Sequence, residues 1–182
     1  RGGPGQALGI STPDVTAPGV QILAGHTPVT VDPATGPQGE LFQAIAGTSM
    51  SSPHVAGAGT LLAALHPTWT PGQIHSALMT TATTATVKED GVTPTDAFDD
   101  GSGRINLATA RDPYFTIDET GANFLAKQAS LYTANYPSLY VPVLSGSLTV
   151  DRTLKSVSRS TREYKVSVSA PKDLKVRVSS SE

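Results

Sequence analysis

Residues 47–57 of this chain read GTSMSSPHVAG and connect two apolar segments of different length. Residues 41–46, before them, have the length and composition of a short strand, and residues 55–65, after them, carry no charged side chain. An uncharged, apolar segment of that length predicts a helix that is packed on nearly all sides. The sequence therefore predicts a strand, a tight turn and a buried helix in that order, with several hydroxyl groups at the turn.

The turn itself carries the residues that start helices. Ser51 and Ser52 can cap the helix, and Pro53 fits its first turn, where a missing N–H costs little. Gly47 allows the backbone to turn tightly and lets a substrate chain approach. We therefore expect Ser49 just before the helix, beside unpaired amides and the positive end of the helix dipole, which favour the negative charge of an oxyanion.

The whole motif is more specific than a helix cap. It resembles the nucleophile motif of the subtilisin-like serine proteases, in which the first serine attacks the scissile carbonyl. Further segments resemble the same family in the same order: residues 13–24 before the motif, and residues 66–71, 74–82 and 101–106 after it. Because a motif is confirmed by the context around it, the chain is identified as a member of this family.

The resemblance implies a reaction and a role for each residue of the motif. The reaction is hydrolysis of peptide bonds in a protein or peptide substrate through an acyl-enzyme, with Ser49 as the nucleophile and its backbone N–H as one oxyanion donor. Gly47 and Thr48 would shape the turn, and Pro53 with His54 would hold the entrance of the helix. This mechanism requires no metal and no organic cofactor. The resemblance also implies a secreted or cell-surface protein.

We expect the groups that activate a nucleophilic serine to lie outside this chain, because too little sequence precedes Ser49. The hydroxyl needs a base that a third group orients, and in subtilisin the chain order is aspartate, histidine, serine. The resemblance places the family's aspartate, histidine and oxyanion-holding asparagine upstream of Asp14. We therefore expect a C-terminal fragment, cut at both ends and inactive alone, whose partner is the remainder of its own catalytic domain. The alternative is a catalytically silent structural or interaction fragment, or a pseudo-enzyme.

Histidines near the motif do not supply the base. His54 lies five residues after Ser49, about 140° around a helix and about 7.5 Å along it, so we expect a structural histidine that points away. Asp14 and His26 complete the order aspartate, histidine, serine with Ser49. However, Asp14 lies in a segment that resembles another part of the family, and His26 lies in a predicted loop. We reject this pseudo-triad.

The composition excludes several classes of function. The formal net charge of the 182 residues is −2 and no basic cluster is present, which argues against nucleic acid or an anionic membrane as a partner. Cysteine is absent, so neither disulfides nor thiolate metal sites contribute. No stretch of this sequence has the length and apolar character of a transmembrane helix.

The first part of the chain contains a second helix with clear boundaries. It is expected at residues 71–81, with Thr70 as its cap and Gln73 as the reciprocal partner of a capping box. Further expectations are an apolar stripe of Ile74, Ala77 and Leu78, a packed Trp69, a weaker helix at residues 106–111, His66 at a helix end and His75 on a helix surface.

The pattern changes after Asp112, and we assign residues 1–112 to the catalytic part and residues 113–182 to a second domain. Residues 163–170 and 174–179 alternate apolar and polar side chains, which predicts strands with one buried face. A further strand is suggested by the spacing of Leu148, Val150 and Leu154.

This second part resembles the fibronectin type III-like domain of the cucumisin-like branch of the family, at residues 134–139, 148–153 and 164–168. Such a sandwich needs ~100 residues in seven strands, and only about seventy follow here. The fold class is therefore α/β: the C-terminal part of a subtilisin-like three-layer domain with a parallel sheet, followed by a partial all-β fibronectin type III-like sandwich. Its exposed last strand predicts poor solubility. A binding module that uses Tyr132, Tyr136 and Tyr140 is a further possibility.

One acidic stretch and one long loop remain. Asp96, Asp99, Asp100 and Gly101 have the composition of a calcium loop, but their spacing does not match the EF-hand pattern, and a solvated turn is favoured. Residues 25–40 are rich in proline and glycine, which predicts a variable surface loop rather than a site. We therefore expect no metal site in either segment.

Overall fold

The structure, a computed structural model, describes residues 3–5, 10–32, 36 and 38–179. The strands are β1 (Gly3–Gly5), β2 (Ile10–Thr12), β3 (Ile22–Gly25), β4 (Phe42–Ile45), β5 (Phe115–Thr116) and β6 (Lys155–Ser156). The helices are α1 (Thr48–Leu65), α2 (Pro71–Thr80), α3 (Ala97–Asp100), α4 (Leu107–Ala110) and α5 (Gly121–Ala126), with a 3₁₀ turn at Leu131–Thr133. None of the helices in these residues is long and apolar enough to cross a membrane.

Helix α2 forms where its sequence predicts it and ends one residue earlier, at Thr80. The Thr70 hydroxyl accepts a hydrogen bond from the Gln73 amide at 3.1 Å, and the Gln73 side chain accepts one from the Thr70 amide at 3.1 Å. This reciprocal capping box satisfies two amides that a helix start otherwise leaves unpaired. The predicted cap and apolar stripe are confirmed, since Ala77 and Leu78 are buried and Ile74 packs against them.

One small hydrophobic core joins α1, α2 and α4. Its buried members are Ala58, Leu62, Ala77, Leu78 and Ala110, with Val55, Trp69, Ile74 and Ile105 packed around them. Trp69 also stacks on His66, with ring centroids 3.7 Å apart, so the packed position predicted for the tryptophan is confirmed. The weaker helix predicted at residues 106–111 is α4, with Asn106 as its N-cap and Arg111 as its C-cap.

Helix α1 is not packed on nearly all sides, and that prediction is wrong. Of its 18 residues only Ala58 and Leu62 are buried, whereas Leu61 and Leu65 are 56% and 60% exposed. An apolar sequence shows that a helix can be buried, but burial itself depends on the neighbours. Within the described part of the chain, the core covers one side of α1 and the opposite side stays open to solvent.

The strand pairs in the described residues are all antiparallel, so the predicted parallel sheet is not found there. β3 and β4 form a hairpin in which Ile22 pairs with Ile45 and Gly25 pairs with Phe42. The strand predicted at residues 41–46 is β4, shorter by one residue at each end. The surface loop predicted between these two strands lies partly outside the described residues.

We call residues 14–19 the bridging segment, because their backbone bonds to two separate parts of the chain. The Thr16 amide donates to the Gly103 carbonyl at 2.9 Å, and the Ile105 amide donates to the Thr16 carbonyl at 3.0 Å, which makes a parallel bridge. Gly103 has a φ of +115°, and a side chain there would overlap the Thr83 carbonyl. Only glycine therefore allows residue 103 to lie this close to the backbone of Thr83 while it bonds to Thr16.

The predicted sandwich is not found in the described residues of the second part. Residues 163–170 and 174–179 form no strands, and Val166 and Val178 are 64% and 57% exposed. The strand suggested by Leu148, Val150 and Leu154 is also absent. A strand needs a neighbouring strand for its backbone hydrogen bonds and an opposing surface to bury one face, and the described residues supply neither there. The strand pair that does form in this part is β5 with β6.

A buried carboxylate organises the turn that follows β5. The Glu119 side chain is 7% exposed and accepts hydrogen bonds from the Asn135 amide at 2.8 Å, the Asn123 side chain at 3.0 Å and Lys127 at 3.3 Å. The Thr120 amide donates to it as well. Burial by itself would raise the pKa of Glu119, but these hydrogen bonds together outweigh it and lower the pKa to about 2. The carboxylate therefore stays charged and holds this turn together.

We expect Leu62→Ala to lower the free energy of unfolding by about 3 kcal/mol, because it removes a fully buried side chain from the core. The matched control is Leu61→Ala on the same helix. Its side chain is 56% exposed, and its loss should cost under about 1 kcal/mol. Urea denaturation of both variants gives the two values. Equal losses would contradict the one-sided packing of α1.

Glu119→Gln tests the charge on the buried carboxylate. Because the pKa of Glu119 lies below its ordinary value of 4.5, the carboxylate stabilises the fold above that pH and loses its contribution as the pH falls toward 2. We expect the variant to be about 2 kcal/mol less stable at neutral pH, with the difference shrinking as the pH falls from about 5 to about 2. Free energies of unfolding across this range measure it, with the exposed Glu163→Gln as control. A difference that is constant with pH would contradict the assignment.

Candidate active site

The structure starts α1 at Thr48, so Ser49 lies in the first turn of the helix and not before it. The N-cap is Gly47, whose carbonyl accepts hydrogen bonds from the amides of Met50 at 3.0 Å and Ser51 at 3.3 Å. The helix therefore begins as soon as the backbone has turned at Gly47. No side-chain hydrogen bond caps it, because glycine carries no side chain.

The side chains predicted to start the helix have other positions. Ser51 and Ser52 lie inside α1, so the prediction that they cap it is wrong, and Pro53 lies in the second turn rather than the first. The Ser51 hydroxyl instead donates to the Ala17 carbonyl of the bridging segment at 3.1 Å. Pro53 has no amide hydrogen, so the carbonyl of Ser49 loses its usual donor in the helix.

The surroundings of Ser49 suit a developing negative charge. The amides of Thr48 and Ser49 are the first two of α1 and have no carbonyl to bond within the helix. The aligned peptide dipoles of this 18-residue helix add a partial positive charge at the same end. Ser49 is also exposed, so a substrate carbonyl can reach it. The hydroxyl and a place for an oxyanion therefore lie side by side.

The bridging segment holds this turn from outside the helix. The Gly47 amide donates to the Gly19 carbonyl at 2.8 Å, two residues along from the Ala17 carbonyl that Ser51 contacts. A side chain at residue 19 would overlap the Ser51 hydroxyl and lie 2.9 Å from the Gly47 carbonyl. The position therefore requires glycine, and two carbonyls of the bridging segment fix where α1 begins.

His54 is held against its own helix. It is exposed, and its Nδ1 donates a hydrogen bond to the Met50 carbonyl one turn earlier, at 2.8 Å. The histidine therefore has a structural hydrogen bond at the helix entrance. Across the described residues, no hydrogen bond joins the Ser49 hydroxyl to a histidine.

Asp14 and His26, the other members of the rejected pseudo-triad, contact different groups. The Asp14 carboxylate lies 3.1 Å from Nε2 of His75 on α2. His26 lies in the loop after β3, and its Nδ1 is 3.1 Å from the Glu40 carbonyl. The aspartate thus pairs with a histidine on another element, and this arrangement gives Ser49 no base.

Two further histidines have long-range partners. His66, predicted at a helix end, is the C-cap of α1, and its Nε2 is 2.7 Å from the Arg111 carbonyl. His75, predicted on a helix surface, is half-buried, and its Nε2 contacts both Asp14 at 3.1 Å and the Tyr136 hydroxyl at 3.2 Å. The sequence gives no sign of this contact, because both partners are 61 residues away and helical periodicity relates only residues within a few positions.

The acidic stretch is internally satisfied rather than open to a cation. Lys88 pairs with Asp99 at 2.9 Å and with Asp96 at 3.5 Å, and Asp96 also caps α3. Asp100 is buried and accepts a hydrogen bond from Thr95 at 2.7 Å, so the turn is less solvated than predicted. In the residues that the structure describes, no group of three histidine, cysteine or acidic side chains is placed to hold a metal ion.

The three tyrosines considered as a binding surface pack within the protein. Tyr136 contacts His75, and Tyr140 lies edge-on to Phe98 with ring centroids 6.2 Å apart. Tyr132 lines a narrow pocket together with the other two. All three are partly buried, so they do not form a free platform for a partner.

Comparisons with known proteins show the family of this chain. The model of the Subtilase family matches residues 3–104, and that of a Fibronectin type-III domain matches residues 133–182. Neither match covers residues 105–132, so the boundary at Asp112 stays a prediction.

Several plant proteins are similar along most of the chain. Subtilisin-like protease SBT5.4 of Arabidopsis thaliana is 35% identical over 180 residues, which cover 82% of this chain and 23% of that protein. Subtilisin-like protease SBT5.3 of the same plant is 35% identical over 205 residues, covering 93% and 26%. Subtilisin-like serine-protease S of Lotus japonicus is 33% identical over 191 residues, covering 88% and 25%. The chain spans about a quarter of the length of these curated relatives. With its nucleophile-type motif at the start of α1, the chain belongs to the subtilase family, with fibronectin type-III sequence following the subtilase part.

Proposed function

We propose that this chain is the nucleophile-bearing C-terminal part of the catalytic domain of a serine endopeptidase, followed by part of a fibronectin type III-like domain. Ser49 is its nucleophile. The observation that carries the proposal is the position of Ser49: exposed, in the first turn of an 18-residue helix, within a motif that resembles the family's nucleophile motif. Because the chain spans about a quarter of its relatives, the proposal concerns the parent protein.

In this proposal each group near Ser49 has a defined task. The Ser49 oxygen bonds to the carbonyl carbon of the scissile peptide, and a base removes the hydroxyl proton and later gives it to the leaving amine. The carbonyl oxygen becomes an oxyanion that the Ser49 amide and the helix dipole stabilise. Water then releases the acyl group. Gly47 and Thr48 shape the turn, while Pro53 and His54 hold the helix entrance.

The base, the orienting acid and a second oxyanion donor come from the remainder of the catalytic domain. A serine hydroxyl without a base is a weak nucleophile, and the described residues bring no histidine into hydrogen-bond contact with Ser49. Apolar side chains along α1 and in the segments before it are open to solvent, which supports a missing partner surface: Val20, Leu23, Phe42, Leu61 and Leu65 are each more than half exposed. The other partner is a protein or peptide substrate.

Secretion or exposure at the cell surface belongs to the same proposal and rests on family resemblance. The reaction as proposed needs no metal or organic cofactor, since the acyl-enzyme chemistry uses only side chains and backbone amides.

A second candidate is a catalytically silent fragment or pseudo-enzyme. The observation in its favour is the same missing base. The silent candidate differs from the first candidate in the parent protein. There, other residues would replace the segments that carry the aspartate, histidine and asparagine.

A fluorophosphonate probe, which reacts with activated serines, separates these candidates. We expect no labelling of the 182-residue chain alone, because without its base the reaction should be at least about 10³-fold slower. The longer polypeptide with the upstream segments should be labelled. Ser49→Ala should abolish that labelling, and Ser52→Ala, an exposed serine of the same helix, should retain it.

Each result of the labelling experiment tests a different part of the proposal. Labelling of Ser49 in the isolated chain would show that our account of the missing base is wrong. Labelling that survives Ser49→Ala would remove Ser49 as the nucleophile, and an unlabelled longer polypeptide would favour the silent candidate.

A further inference from the structure

We infer that His75 and Tyr136 are positioning residues, through which the second part of the chain fixes the bridging segment and, through it, the nucleophile turn at Gly47. The inference rests on the proposed function for its catalytic meaning. Its structural content is a continuous series of contacts from Tyr136 to Gly47, which can be measured without any activity.

The series begins at Nε2 of His75 on α2, which contacts both the bridging segment and the second part of the chain. Nε2 of His75 lies 3.1 Å from the Asp14 carboxylate and 3.2 Å from the Tyr136 hydroxyl, and the two rings are 5.0 Å apart. A carboxylate accepts only, so Nε2 must carry the proton and donate, and the Asp14 carboxylate and the Tyr136 hydroxyl oxygen share this one N–H as a bifurcated hydrogen bond. Burial first, and then the charge of Asp14, raises the pKa of Tyr136 to about 12. The phenol therefore stays neutral beside the carboxylate.

Hydrogen bonds contribute to the position of the His75 ring, because one side of the ring is not closely packed. A cavity of about 180 Å³ adjoins the ring and is lined by Ile117, Phe124, Tyr136 and other residues of the second part. On that side the ring has room to move, and its polar contacts with Asp14 and Tyr136 limit this movement.

Tyr136 can act as an anchor because the second part is itself fastened to α2. Three hydrogen bonds cross between them: Thr70 to Asp118 at 2.8 Å, Ile117 to Ser76 at 2.8 Å, and Gln73 to Thr116 at 3.4 Å. Thr116 and Ser76 are fully buried at this interface. The Tyr136 hydroxyl is therefore presented to His75 from a fixed surface.

From Asp14 the series continues along the backbone. The Asp14 carbonyl accepts a hydrogen bond from the Ser102 amide at 2.9 Å, next to the bonds that hold Thr16. Five residues further along, the Gly19 carbonyl accepts the Gly47 amide at 2.8 Å. Loosening Asp14 should therefore loosen a short segment whose other end positions the start of α1.

The test is residue-resolved amide hydrogen exchange on the full chain, read by NMR at Gly47 and Thr16. Tyr136→Phe removes only the hydroxyl, and we expect exchange at both amides to rise about threefold to fivefold, as for the loss of one hydrogen bond. The matched control is Tyr164→Phe. It removes a hydroxyl that bonds the Tyr114 carbonyl at 3.3 Å within the second part, and it should leave both amides unchanged.

A double variant tests whether the contacts form one series. Tyr136→Phe and Asp14→Asn act on the same histidine, so their effects on exchange at Gly47 should be less than additive. Unchanged exchange at Gly47 in Tyr136→Phe, an equal rise in Tyr164→Phe, a rise at every amide, or full additivity would each overturn the inference. Exchange does not depend on the reactivity of Ser49. Failure here therefore leaves the proposed function standing, and failure of probe labelling leaves these exchange results unaffected.

Discussion

Hydrogen bonds to the backbone of residues 14–19 hold the first turn of α1 and the segment around Gly103 in one arrangement. At one end, Thr16 is bonded on both sides to the segment that contains Gly103. At the other, the carbonyls of Ala17 and Gly19 receive the Ser51 hydroxyl and the Gly47 amide. Except for the Ser51 hydroxyl, these bonds join main-chain groups, so they set distances that side chains adjust little. The place where α1 begins follows from them.

The helices and the second part of the chain are arranged around this segment. A small hydrophobic core joins α1 to α2 and covers one side of α1 only. α2 in turn carries the buried contacts to β5 and the His75 contact to Asp14. The bridging segment thus holds the turn at Gly47, while apolar side chains of β3, β4 and α1 face solvent. This is the geometry expected of a site that a further part of the protein completes, as we propose.

Local signals in the sequence predict local structure well here. The capping box of Thr70 and Gln73 fixes α2, because both partners lie within one turn. The start of α1 is mispredicted because good capping residues, Ser51 and Ser52, follow a turn whose position is set by contacts with the distant Gly19. The alternation at residues 163–179 marks strand-forming character, but strands form only with partners, which the described residues do not provide. The contacts of His75 with Asp14 and Tyr136 likewise cannot be predicted from the spacing of residues in the sequence.

The variant Gly19→Ala shows whether the bridging segment positions the turn at Gly47. A side chain at residue 19 meets Ser51 and Gly47, whereas Gly57, on the exposed side of α1, has nothing within 4 Å of an added side chain and gives the control Gly57→Ala. In amide NMR spectra, Gly19→Ala should displace the resonances of residues 47–51 and lower the free energy of unfolding by about 1–3 kcal/mol. Gly57→Ala should leave the turn in place. Unshifted resonances at residues 47–51 in Gly19→Ala would show that the bridging segment does not position this turn.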